Sequence, residues 1–350
     1  MRHAGRQGGM YFTHWKRTGV RVGTPEKPNK LAGIVEALEI GMAAEVKTQV
    51  SHISTGFDIY PPNEDMDLYA AKVTLDIFDG YLQKGAQAAF DVIPGRSGGI
   101  AMIPFLASKL MPWVRQAGSL SGFIRNLGAR DFRTELIEKL EGGAWYALNP
   151  KVNPCWDEAI SIGPSQNPKY AGKTLREIGR LLGTSSMEAV MALLLEEPRI
   201  PIEENKKSDG EIRGLLAHPK GSPCTDTYAF DLEGTYGRDM ELPELLPHPH
   251  TYCAFPKYIL QFPAPTLEET IRKMTGAVAQ FLEIPGRGEI QVGNFADLVV
   301  LDLKRLKTNE NYVEPRVYPE GIPMVVVNGV VEVDQQGFTG RRAGRILRHQ

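Results

Sequence analysis

Apolar segments of two different periods alternate along the first quarter of this chain, and few folds accommodate that. Residues 9–14 (Gly-Met-Tyr-Phe-Thr-His) read as a short strand with a polar tip at His14. Residues 30–44 have the spacing of an amphipathic helix. Residues 46–52 form a second strand, which ends at another histidine, His52. A helix over 70–84 and a strand over 88–93 follow. Strand, helix, strand, helix, strand at this spacing predicts parallel βαβ units.

Residues 95–210 interrupt the alternation with helical pieces at 106–114, 132–140, 177–182 and 185–195. A polar loop over 203–210 follows, and residues 212–218 lead toward a last strand. The Pro-rich stretch 242–250 reads as irregular. Helical spacing returns over 266–275, behind a Thr266 cap, and over 277–282. Near the C-terminus, Asn328-Gly329 separates Val325-Val326-Val327 from Val330-Val331. Asn-Gly between β-branched runs favours a two-residue type I′ hairpin, because both turn residues need positive φ. The expected organisation is one large domain over 1–285, with a helical insertion at about 95–210, and a small β-domain over 286–350.

Composition narrows the function classes. The 350 residues are 42% hydrophobic and 23% charged, with a formal net charge of −2. That balance gives no electrostatic case for a nucleic-acid or anionic-membrane partner. No apolar run is long enough to span a bilayer. The basic, Gly-rich start has no apolar core, so it does not read as a secretory signal. Cys155, Cys224 and Cys253 form no paired framework, so reduced thiols and a cytoplasmic setting are expected.

A few residues could carry chemistry. His14 and His52 both end predicted strands, and two imidazoles there make half a shell for a divalent metal such as zinc. For either one alone, a hydrogen-bonded histidine near the surface is the commoner reading. Asp226 follows a short apolar strand; it could accept a proton in catalysis or simply occupy a turn. His248 and His250 could line a site or sit exposed on a Pro-restricted loop. Cys224, an isolated cysteine, favours burial.

These segments together resemble the amidohydrolase superfamily, on its N-acyl-D-amino-acid deacylase (D-aminoacylase) branch. Gly8-Gly9-Met10-Tyr11-Phe12-Thr13-His14-Trp15-Lys16 is similar to the family's Gly-Gly-x-Tyr-x-Thr-His-x-Arg. Gln49-Val50-Ser51-His52-Ile53 is similar to its Ser-His-Leu-Lys strand, and Thr225-Asp226 to its Ser-Asp. His248-Pro249-His250-Thr251-Tyr252 resembles its His-Pro-Arg-x-Tyr, and the tail Gly293-Asn294-Phe295-Ala296-Asp297-Leu298 resembles its closing β-domain. The resemblance implies the C-terminal half of a (β/α)8 barrel followed by a small β-sandwich-type domain. It implies that His14 and His52 are metal ligands on barrel strands five and six. Asp226 is then the acid/base of strand eight. The implied reaction is hydrolysis of a small-molecule amide: the metal polarises the carbonyl and acidifies a water, and Asp226 moves the proton to the leaving amine. A cyclic-amide hydrolase of hydantoinase or dihydroorotase type is the neighbouring alternative.

The chain also departs from the family pattern. The family's strand-one His-x-His pair and metal cysteine have no counterpart. An incomplete start, an inactive product, or a half-barrel that self-associates through its exposed edge are therefore all expectations. Ser54 stands where the family has a lysine, Ile93-Pro94 where it has Tyr-Pro-Tyr, and His250 where it has an arginine. Arg96 is the candidate replacement for binding a substrate carboxylate, with His248 and His250 beside the substrate.

Overall fold

The computed structural model describes residues 8–15, 30–57, 59–97, 101–102, 105–145, 147–151, 153, 155–204, 207–227, 246–311 and 315–347. The chain start, Lys16, residues 205–206 of the polar loop and residues 242–245 lie outside the described residues.

The first half alternates as its periodicity predicts. β1 (Tyr11–His14), α1 (Lys30–Ala44), β2 (Thr48–Ser51), α2 (Glu64–Gln83) and β3 (Ala88–Val92) follow in order. α2 starts six residues earlier than its apolar spacing suggests (70 against 64), because Asn63 caps it by accepting the Met66 N–H. A short strand β4 (Ala101–Met102) precedes a helical stretch. That stretch holds a 3-10 turn (Leu106–Leu110), α3 (Met111–Gln116), α4 (Leu120–Leu127), α5 (Arg130–Glu141) and α6 (Trp156–Ala159). Then come β5 (Ile160–Ile162), α7 (Leu175–Leu182), α8 (Ser186–Glu196) and β6 (Ile202–Glu204). Thr174 and Ser185 each close a capping box, with Glu177 and Glu188, which fixes where α7 and α8 begin. These helices enclose their own apolar cluster, which includes Leu110, Phe123, Leu140, Ile178 and Leu193.

The chain returns through α9 (Asp209–Ala217) to β7 (Gly221–Pro223). Residues 212–217 are therefore helical, His218 caps the helix end, and the last strand starts at Gly221. β8 (Leu246–Pro247), α10 (His250–Gln261), α11 (Leu267–Met274) and α12 (Gly276–Phe281) complete this part.

β1, β2, β3 and β7 make one four-stranded sheet in that order, parallel throughout. Alternate side chains face opposite ways along each strand. Val50, Ala88, Phe90 and Val92 bury one face against Ile34, Leu38, Phe78, Leu215 and Tyr258 of the surrounding helices. α1 approaches β2 closely: a Cβ at Gly41 would lie 1.8 Å from Thr48 Oγ1, so only glycine fits there. The opposite face, with Phe12, Gln49, Ala89, Asp91 and Ser222, lines a cleft of about 720 Å³. Ala277, Val278 and Phe281 of α12 line the same cleft.

The tail forms a separate antiparallel sheet of β9 (Leu298–Val300), β10 (Met324–Val327), β11 (Val330–Asp334) and β12 (Gly337–Phe338). The hairpin is as expected, with φ of 49° at Asn328 and 81° at Gly329. Arg287 ties the sheet to its approach by pairing with Asp297 and donating to Asn328 Oδ1 at 2.6 Å. Asp297 in turn accepts the Asn328 N–H at 2.7 Å. Among the described residues this region is a single layer rather than two facing sheets. No single described helix is long and apolar enough to cross a membrane.

Candidate metal and proton-transfer site

His14 is the last residue of β1, and His52 follows directly after β2. The parallel register sets His14 opposite Ser51, which brings both imidazoles to the C-terminal end of the sheet. His14 Nδ1 and His52 Nε2 are 2.9 Å apart, with ring centroids at 4.6 Å. His52 is 7% exposed and has a φ of 38°, a left-handed backbone that a non-glycine residue adopts only when it is held there. Asp91 supplies the hold. Its Oδ1 accepts the His52 backbone N–H at 2.6 Å, and its Oδ2 accepts Gln49 Nε2 at 2.7 Å.

Asp226 enters from the turn after β7, also left-handed, with a φ of 47°. Its Oδ1 lies 4.0 Å from His52 Nε2. Cys224, between β7 and Asp226, donates its backbone N–H to Val92 O at 3.0 Å. Burial, and then the Asp91 carboxylate beside it, push the Cys224 thiol well above its ordinary value. A protonated thiol donates to Asp91 and is a poor metal ligand.

Two imidazole nitrogens this close either share a proton or direct both lone pairs at one cation. The donor set of two neutral imidazoles with a nearby carboxylate fits a borderline divalent ion such as zinc. Among the described residues no group of three or more His, Cys, Asp and Glu side chains is arranged to hold a metal. His14 and His52 therefore form a two-donor half-shell, and Asp226 stands at its margin, 4.0 Å from His52 Nε2.

The other sequence candidates are differently placed. Arg96 forks onto Asp209, with Nε and Nη2 at 2.9 and 3.1 Å from the two carboxylate oxygens. Its charge holds the Asp209 carboxyl below the usual range. His248 and His250 are not exposed on a loop but 4% and 1% accessible, stacked with centroids 3.9 Å apart. His248 Nε2 meets Ser97 Oγ at 2.9 Å. Thr251, next to His250, meets Thr227, next to Asp226, at 3.1 Å, so the pair buttresses the turn that carries Asp226. Asp91 is the site residue that periodicity passes over. Its one signal is a charged side chain inside the apolar run Ala88-Ala89-Phe90-Asp91-Val92-Ile93.

Comparison with known proteins bears on the chain as a whole. The model of the amidohydrolase family matches residues 261–333. D-aminoacylase of Alcaligenes xylosoxydans xylosoxydans is 37% identical over 105 residues, covering 29% of this chain and 22% of that protein. N-acyl-D-glutamate deacylase of the same organism is 34% identical over 271 residues, covering 75% of this chain and 51% of that protein. The chain thus spans about half the length of that relative. A crystal structure of N-acyl-D-glutamate deacylase from Bordetella bronchiseptica, with zinc and a phosphonate mimic of the tetrahedral intermediate, superposes with a TM-score of 0.59 and 21% identity. It covers 99% of this chain and 58% of that one, a likeness of fold. With the ordered motifs from Tyr11 to Asn328, these matches place the chain beside the amidohydrolase superfamily, as similar to its D-aminoacylase branch over about half the length of that relative.

Proposed function

We propose that this chain acts in metal-dependent hydrolysis of an amide C–N bond, in the manner of an N-acyl-D-amino-acid deacylase. The observation that carries the reading is the meeting of His14 and His52 at 2.9 Å, with Asp226 4.0 Å from His52. His14 and His52 would hold the metal, with zinc the first choice. A divalent metal bound there supplies Lewis acidity toward the amide carbonyl and toward a water. Asp226 accepts the proton released as water attacks and delivers it to the departing amine. Asp91 keeps His52 turned into the site. The cleft beside the sheet admits a small molecule of the amide class.

Within this reading the four-stranded parallel sheet is half of a (β/α)8 barrel over 1–285, with the helices between β4 and β6 as an insertion. Residues 286–350 are its small β-domain. The outer edges of β1 and β7 then favour self-association, which sedimentation would detect as a dimer; a monodisperse monomer would count against it. The three unbridged cysteines support a reducing, cytoplasmic setting.

The test of function is hydrolysis of N-acetyl-D-glutamate and its L-enantiomer by zinc-supplemented protein. D-selective release of glutamate, reduced by about 10²–10⁴ in Asp226→Asn, is the expected result. Turnover that is unchanged in Asp226→Asn would contradict the assignment.

A further inference from the structure

Asp226 holds a left-handed backbone, with a φ of 47°, and a non-glycine residue stays there only when its surroundings hold it. Its neighbour Thr227 meets Thr251, in the first turn of α10, at 3.1 Å between hydroxyls. That first turn is itself weakly tied. No side chain caps α10, and Pro256 inside it lacks the N–H that would bond Tyr252 O. The missing bond falls between the first turn and the rest of the helix.

Contacts from the small β-domain meet α10 on both sides of Pro256. After it, Lys257 Nζ donates to Glu310 Oε2 and Oε1 at 2.7 and 3.0 Å, and Lys257 is 7% exposed. Before it, the Tyr252 ring meets the Tyr318 ring edge-on, with centroids 5.2 Å apart. Glu310 and Tyr318 both lie between β9 and β10. Lys307 and Glu320 close the base of that loop by exchanging backbone hydrogen bonds at 3.3 and 3.1 Å. Asn309 Nδ2 donates to Tyr318 O across it at 3.2 Å. Both contacts to α10 therefore come from one closed loop.

We propose that Lys257 and Tyr252 are positioning residues. Through them the β9–β10 loop fixes the first turn of α10, and Thr251 passes that restraint to the turn that carries Asp226. The proposal rests on the proton-transfer role of Asp226 in the hydrolase reading. A buried ion pair makes a firm clamp, because parting its members leaves an uncompensated charge. Proton transfer needs the carboxylate within hydrogen-bond reach of its target, so loosening the clamp acts on kcat rather than on KM.

The experiment compares wild type with Lys257→Met, Lys257→Arg, Tyr252→Ala and Thr251→Val. Amide hydrogen exchange, zinc uptake and hydrolysis of N-acetyl-D-glutamate are measured on each. Lys257→Met is expected to speed exchange over 224–227 and 250–253 by about ten-fold, the factor for one lost charge-assisted hydrogen bond, and to leave β1–β3 unchanged. Tyr252→Ala, which leaves no buried charge behind, acts on the same two segments. Thr251→Val speeds 224–227 alone, and Lys257→Arg keeps the wild-type pattern. In Lys257→Met, kcat falls by about 10- to 100-fold while KM and zinc uptake hold. Exchange over 224–227 that stays as in wild type, exchange that rises equally in β1–β3, or a loosened turn with unchanged kcat overturns the proposal; zinc uptake and turnover by wild type would then leave the hydrolase reading standing. If wild type takes up no zinc and hydrolyses nothing, the same exchange pattern supports the clamp on the Asp226 turn and removes the hydrolase reading.

Discussion

The Asp91 carboxylate accepts the backbone N–H of His52 at 2.6 Å, and this contact sets the direction of the His52 imidazole. His52 sits at a φ of 38°, so its backbone needs an external partner to stay there. Asp91→Ala removes that partner along with the acceptor for Gln49. A supporting contact of this kind is worth about 10- to 100-fold in metal affinity. The expected result is zinc binding weakened by that factor, with His14 and His52 unchanged in sequence. Calorimetric titration of the variant checks it, and undiminished affinity would assign Asp91 to fold stability alone.

Glu211 gives a prediction of opposite sign for stability. It is 5% exposed, and its Oε1 has no hydrogen-bond partner. Burial raises its pKa above the ordinary glutamate value. The folded chain therefore keeps a proton that the unfolded chain releases, and stability falls as pH rises past the ordinary carboxylate range. Glu211→Gln removes this penalty. The variant should gain about 1–3 kcal/mol at neutral pH and nothing below about pH 4. Urea unfolding at both pH values measures it; an equal shift at both would refute the account.

Lys273 runs the other way along the pH scale. It is 2% exposed and donates to His218 O at 2.8 Å and to Leu216 O, joining α11 to the end of α9. Burial lowers its pKa to about 8. Between that value and the ordinary lysine value, the unfolded chain binds the extra proton, so wild-type stability rises with pH there. Relative to Lys273→Met, the slope should approach about 1.4 kcal/mol per pH unit above pH 8 and vanish below it. A flat difference across that window would mean that the ammonium stays charged in the fold.

Much of this could be read from the sequence because period and punctuation agree locally. The β1–α1–β2–α2–β3 order follows from apolar spacing, and the Asn328-Gly329 hairpin from turn chemistry. His14 and His52 were visible because both end strands. The contact that holds His52 was not, since Asp91 acts across 39 residues of chain separation (91 − 52 = 39). Arg96 illustrates the converse. An arginine near the site looks available until the fold brings Asp209 against it. The burial of His248 and His250 depends on Ser97 and on the β4–β8 pairing, which no local pattern announces.

The most direct test of the account is zinc titration of wild type, His14→Ala, His52→Ala and the double variant, each checked for folding by urea midpoint. The account predicts saturable zinc binding by wild type, weakened in each single variant and absent in the double variant. Zinc uptake by the double variant equal to that of wild type would contradict it and remove His14 and His52 from the metal site.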